Sequence, residues 1–183
     1  MSKKFELTWN TKDHFGITLY QIRALKDFNN ISKGDLGGWV EKEENLSQDG
    51  LSWISGNARV HGNAWVYGDA LVSGNAGVYG NALVSGNAWV SGNARVYGDA
   101  LVYGNALVSG DADFLVFDKV GSRNDTLTAF KTRKNDQEGI GVVVGCFQGT
   151  LEEFEEAIKK THGDNRFGKM YQIAIGMIKF KLS

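Results

Sequence analysis

Arg59, Arg95, His61, Tyr79 and Tyr97 are the residues of this 183-residue chain whose types and spacing suit ligand chemistry. Within each residue type the positions recur at intervals of eighteen or twice eighteen, so a chain that coils with that period gathers them into one patch. Arginines beside tyrosines grip a planar anion through charge-assisted hydrogen bonds and stacking. Solvated corner side chains without any ligand account for the same pattern. No residue set forms a catalytic motif or a metal-ligand cluster, and no cofactor is implied. The candidates for chemistry are His61, the one histidine inside the repetitive region, and Cys146. Cys146 stands four residues before Thr150, which opens a helix, and a helix N-terminus lowers a thiol pKa. Gly149 and Thr150 would also suit an anion there. Cys146 equally follows Val142, Val143 and Val144, and burial in a strand explains it without chemistry.

The elements that position these residues are repeats. Ten consecutive hexads run from Ser55 to Phe114, each close to S/Y/H-G-N/D-A-x-V. Alanine and valine stand two apart, so in a strand they share one side and the residue between them points the other way. The Ala/Val side is uniformly apolar and forms an interior. The S/Y/H-G-N/D triplet is turn chemistry, because Gly and Asn tolerate left-handed backbone. Three strands and three corners close one triangular coil, a parallel solenoid. At a strand spacing of about 4.8 Å, the hexads make a stub of roughly 16 Å whose ends need capping.

Positions eighteen apart share a face. One outer face carries Arg59, Gly77, Arg95 and Asp113; a second carries Trp65, Leu83 and Leu101; the third carries Leu71, Trp89 and Leu107, which Trp53 extends. Two faces are therefore apolar, and monomeric proteins rarely expose such patches. Either the flanking modules fold over them or identical prisms pack together. The Asn/Asp columns, such as Asn57, Asn75, Asn93 and Asp111, read as structural ladders that bond from coil to coil.

The rest of the chain bounds the answer. Net charge is −1 and only six residues from Ser55 to Phe117 are charged, so DNA or RNA binding is not implied. One cysteine excludes an internal disulfide framework and suits a reducing cytoplasm. No apolar run resembles a signal peptide or membrane span. The organisation expected is a β cap over residues 1–52, the repeat over 53–117 and an α/β module over 118–183. In the cap, Phe5, Leu7 and Trp9 alternate, Asn10 to Asp13 reads as turn material, and a strand runs from Ile17 to Leu25. Gly37 and Gly38 before Trp39 imply close backbone approach, with Trp39, Leu46 and Trp53 laid on the open end of the coil. In the last module, strands are expected at 126–132 and 140–147. A capping box at Thr150 and Glu153 opens a helix that stops at Gly163. A second helix runs from about Phe167 to Phe180 with Tyr171, Ala174 and Ile178 as its core stripe.

Gln21 to Phe28, Gly34 to Val40 and Asn45 to Ser47, entering the G-N-A-x-V hexads, resemble a bacterial and bacteriophage family of hexapeptide-repeat proteins. Its members are often labelled transferases or left without a function. Gly145 to Phe154, followed by Thr161 to Asn165, resembles a C-terminal module of phage-encoded relatives. The resemblance implies a mainly β protein built on a short left-handed parallel β-helix, in a host cytoplasm, and commonly a homotrimer. The function expected is a non-enzymatic, oligomeric binding or assembly protein that holds a small anionic or nucleotide ligand or a host protein. Trp65, Leu83, Leu101, Leu71, Trp89 and Leu107 would be its interfaces. The alternative is an acetyl-CoA-dependent acyltransferase with His61 as base. The unbroken hexads lack the excursion loop that such enzymes often use.

Overall fold

The computed structural model describes residues 3–135 and 137–183. Its centre is a parallel β-solenoid of two-residue strands, as the hexad period requires. Strands β4 (Trp53–Ile54), β7 (Leu71–Val72), β10 (Trp89–Val90) and β13 (Leu107–Val108) stack as one sheet. Strands β6 (Trp65–Val66), β9 (Leu83–Val84) and β12 (Leu101–Val102) make the second. The third stacks β5 (Arg59–Val60), β8 (Gly77–Val78) and β11 (Arg95–Val96), with Arg59, Gly77 and Arg95 in register. Every repeat alanine and valine from Ala58 to Val108 is buried. This continuous column replaces the conventional core, because no single coil could bury its own apolar edge.

Corners and ladders follow the sequence closely. Gly86 sits at φ +67°, and a Cβ added there would lie 2.8 Å from the Gly104 nitrogen one coil on, so the corner demands glycine twice over. Asn57 donates to Asn75 at 3.3 Å, Asn75 to Asn93 at 3.2 Å and Asn81 to Asp99 at 2.8 Å, forming the expected side-chain ladders.

The N-terminal segment builds the first coil and then leaves it. Strand β3 (Leu36–Val40) pairs in parallel with β5, placing Trp39 beside Arg59. Leu46 bridges Val66, and β4 pairs with β7. With these three contributions the solenoid has four coils. Gly37 and Gly38 permit the join: added Cβ atoms would meet Ile22 and Ile54 side-chain carbons at 2.5 Å. Strands β1 (Phe5–His14) and β2 (Ile17–Ala24) extend the third sheet as an antiparallel hairpin. The expectation that Asn10 to Asp13 turns is corrected here. Those residues lie within β1, and the reversal comes at Phe15 and Gly16, with φ of +53° and +81°. The hairpin overhangs the solenoid, so a solvated strand there carries polar residues that read as a turn.

The C-terminal module seals the other end. Strands β14 (Phe114–Val120), β15 (Asp125–Lys134), β16 (Gln137–Val144) and β17 (Phe147–Thr150) form an antiparallel meander. Phe114, Phe130 and Val143 face the solenoid column, while Leu127, Ala129, Val142 and Val144 face the helices. Helices α1 (Leu151–His162) and α2 (Arg166–Leu182) complete that second core with Phe154, Tyr171 and Ile178. The capping box at Thr150 and Glu153 is present, and Asn165 caps α2 by accepting from the Phe167 and Gly168 amides.

Candidate functional site

The ring column forms at one corner of the solenoid. The His61 and Tyr79 rings stack with centroids 5.2 Å apart and planes 3° from parallel; Tyr79 and Tyr97 follow at 5.4 Å and 10°. Coil stacking at strand spacing forces these distances, so three rings at one corner position become a continuous aromatic edge. His14, from the end of β1, closes the top by meeting His61 edge-on at 5.5 Å.

The two arginines beside this edge differ sharply. Arg95 donates to Asp111 through Nε at 3.1 Å and through a terminal nitrogen at 2.7 Å. These bonds raise the guanidinium pKa and hold the Asp111 carboxyl below its ordinary range. Tyr79, Arg95 and Tyr97 line a cavity of about 370 Å³ with Asp111 and Lys181. Arg59 donates only to the Asn75 carbonyl, at 3.4 Å, and no carboxylate among the described residues pairs with it.

Sequence reasoning missed Lys12 and His14 and laid Trp39 on the open end of the coil, whereas it stands on this outer face beside Arg59. The Lys12 ammonium lies 4.1 Å from the centroid of the Trp39 ring, and Trp39 is the in-register neighbour of Arg59. Burial, then Arg59, lowers the Lys12 pKa. Burial, then Arg59 and Lys12, lowers that of His14, against an opposing pull from Asp13. Burial, then His14 and Arg59, lowers that of His61, with Glu41 opposing. One signal was available: Gly38-Trp39-Val40 has the small-x-Val form of Ala64-Trp65-Val66, marking Trp39 as an outward strand residue. Nothing local connects Lys12 to it.

Trp65 is 42% exposed, Leu71 39% and Trp89 49%, whereas Leu83, Leu101 and Leu107 are half-buried. Trp65 stacks on Tyr67 at 4.2 Å, and the Trp89 indole donates to Ser73 Oγ at 3.1 Å. Trp53 leaves the third face closed at its top, being buried edge-on against Phe28 at 5.4 Å. Neither terminal module shields Trp65 or Trp89.

Cys146 is exposed at the turn between β16 and β17, which rules out its burial in a strand. The expected placement of Cys146 beside the α1 N-terminus is also corrected: strand β17 intervenes, roughly 13 Å of extended chain before the cap. The Thr150 amide there already donates to Glu153 at 2.8 Å, leaving the cap occupied by its own carboxylate. Cys146 borders a cavity of about 280 Å³ with Asp125, Thr161, His162 and Tyr171.

Residues 54–68, 76–92 and 88–103 match the family of YdcK β-solenoid repeats. A curated protein of Escherichia coli strain K12, described as the uncharacterized acetyltransferase YdcK, is 37% identical over 25% of this chain and 18% of its own length. The chain thus spans under a fifth of that relative. Repeat and coil together make the centre of this chain a parallel β-solenoid of hexapeptide repeats.

Proposed function

We propose that the chain is a non-enzymatic binding and assembly module that associates as a homotrimer in the cytoplasm, with a small anionic ligand or a host protein as its partner. The observation that carries this reading is the exposure of Trp65 and Trp89 on two apolar faces, while the terminal modules occupy only the ends. Large apolar patches of this kind mark interaction sites. The phage setting rests on the sequence resemblance of the cap and C-terminal segments. No helix among the described residues is long and apolar enough to cross a membrane.

Native mass spectrometry of the whole chain tests the reading, with Trp65→Glu and Trp89→Glu as variants. The expected result is a trimer for the parent and folded monomers for the variants. A parent that stays monomeric at micromolar concentration overturns the assembly reading, and unfolded variants would place the tryptophans in a structural role instead.

A second reading, acyl transfer from acetyl-CoA, draws on the description of the E. coli relative and on His61. Its lowered pKa favours the neutral imidazole that a general base requires. Acetyl-CoA turnover that is lost in His61→Ala supports it, and unchanged turnover removes His61 from that role.

A further inference from the structure

We propose that the β1–β2 hairpin and the first coils form a site for a planar organic phosphate, whose anionic group sits between Lys12 and Arg59 and whose ring lies along His61 and Tyr79. The inference rests on the reading of the molecule as a binding module and moves the ligand to the hairpin end of the aromatic edge.

Three independent features converge there. The first is charge. Lys12 and Arg59 project from the same sheet face, one against Trp39 and the other from the strand beside it. Among the described residues neither is in an ion pair, whereas Arg95 on the same face is held by Asp111. His14 and His61 add two groups that charge in the presence of an anion. Of the nearby acids, Glu41 is committed to the Gly62 amide at 2.6 Å, and Asp13 accepts from Gly16. Burial first and neighbouring positive charge second lower the pKa of Lys12, His14 and His61, and a bound dianion relieves the repulsive share.

The second feature is shape. Along the outward strand positions of the repeat, from Arg59 to Leu107, Gly77 is the one residue without a side chain. It lies in register between Arg59 and Arg95. Its backbone is not in the left-handed region, and an added Cβ would make only ordinary contacts, 3.7 Å from the Tyr79 ring. The coil therefore does not require glycine here, unlike at the corners. Gly77 is buried, yet only the Tyr79 ring lies within 4 Å of where its Cβ would stand, so its lack of a side chain leaves room beside Arg59 and Tyr79.

The third is the stacking surface. The His61 and Tyr79 rings are nearly parallel and partly exposed, and their faces meet each other, His14 and Tyr97. The column therefore turns ring edges outward, and the face of a planar ring packs on such edges whatever its hydrogen-bonding pattern. Anion and ring sites adjoin because Arg59 and His61 stand two residues apart at the strand-to-corner junction.

Isothermal titration of the full chain with AMP is the test, with adenosine and inorganic phosphate as partial probes. AMP is expected to bind, and each partial probe to bind more weakly. Arg59→Gln should weaken AMP by at least about tenfold, the loss expected for a hydrogen bond to a charged group. Gly77→Leu, which leaves every charge in place and is a residue the other faces carry at this position, should weaken it comparably. Arg95→Gln should change it less than about twofold, since that charge is already matched by Asp111. In parallel, the His14 and His61 ring-proton titrations should move to higher pH with AMP bound.

Absence of binding up to millimolar AMP overturns the proposal, as does AMP binding that survives both Arg59→Gln and Gly77→Leu. Loss in Arg95→Gln alone would relocate the ligand to the Asp111 end and also overturns it. Native mass spectra of the same samples separate the two readings. A trimer without AMP binding sinks the site alone, and a monomer that binds AMP sinks the assembly alone.

Discussion

Lys4 shows how one side chain fixes the cap. It is buried, and its ammonium donates to the Ser52 carbonyl at 2.9 Å, to Ser52 Oγ at 3.2 Å and to the Asp49 carbonyl at 3.3 Å. Burial first, then repulsion from Lys26, lowers its pKa to about 8, against the pull of Asp49 and Asp69. The group is therefore still charged at neutral pH. Its folded pKa lies below the unfolded value of 10.5, so the unfolded chain binds more protons between those limits. Stability must then rise as pH climbs through that window. Urea midpoints measured from about pH 8 to pH 10 should show this rise in the parent. Lys4→Met should lower the midpoint, because it strands buried carbonyls, and should lack the Lys4 share of the slope. Equal slopes in both proteins would contradict the assignment. Histidine was legible at this scale only in part: His61 belongs to the period, while His14 reaches it through the hairpin.

At the scale of elements, the meander β14–β17 serves two cores with opposite faces. Alternation in β15 does this directly, since Phe130 enters the solenoid end and Ala129 faces the helices. Phe130 is fully buried and meets Tyr103 edge-on at 5.8 Å, closing the last coil. Phe130→Ala should cost about 3–5 kcal/mol, the range for deleting a buried aromatic side chain. Differential exchange of amide protons should place the loss in the last coil and the meander together. A loss confined to the helices would show that the sheet does not seal the solenoid. The expected strands at 126–132 and 140–147 fell close to β15 and β16. β14 and β17 escaped notice, because Phe114 continued the hexad pattern and Phe147 to Thr150 read as the approach to a helix. The turn assigned to Asn10–Asp13 failed because polarity marks solvent, and a strand that overhangs its fold is as solvated as a turn.

For the whole molecule, the prism leaves two apolar faces open between capped ends. The outer side of α2 adds Ile173, Met177 and Phe180 to the exposed apolar surface. If the prism faces meet in a trimer, the melting temperature depends on concentration, because association is linked to folding by mass action. Tenfold dilution should lower the melting temperature of the parent and leave that of the Trp65→Glu, Trp89→Glu double variant unchanged. A parent insensitive to dilution would mean that the faces are solvent-exposed in the working protein.

The hexads by themselves determined the coil: which side chains are interior, which residues share an outer face, where glycine turns the chain and where asparagine ladders run. Each of those environments is built by neighbours eighteen residues away in a regular period, so one chain contains all the information locally. The tertiary structure decided which charges are free and which are matched. Arg59 and Arg95 are equivalent by period, yet Asp111 neutralises one, and the hairpin brings Lys12 and His14 to the other. Contacts such as Lys12 with Trp39, or Lys181 with the Asp111 carbonyl, join segments that share no period. They exist because the two ends of the chain fold back on the repeat.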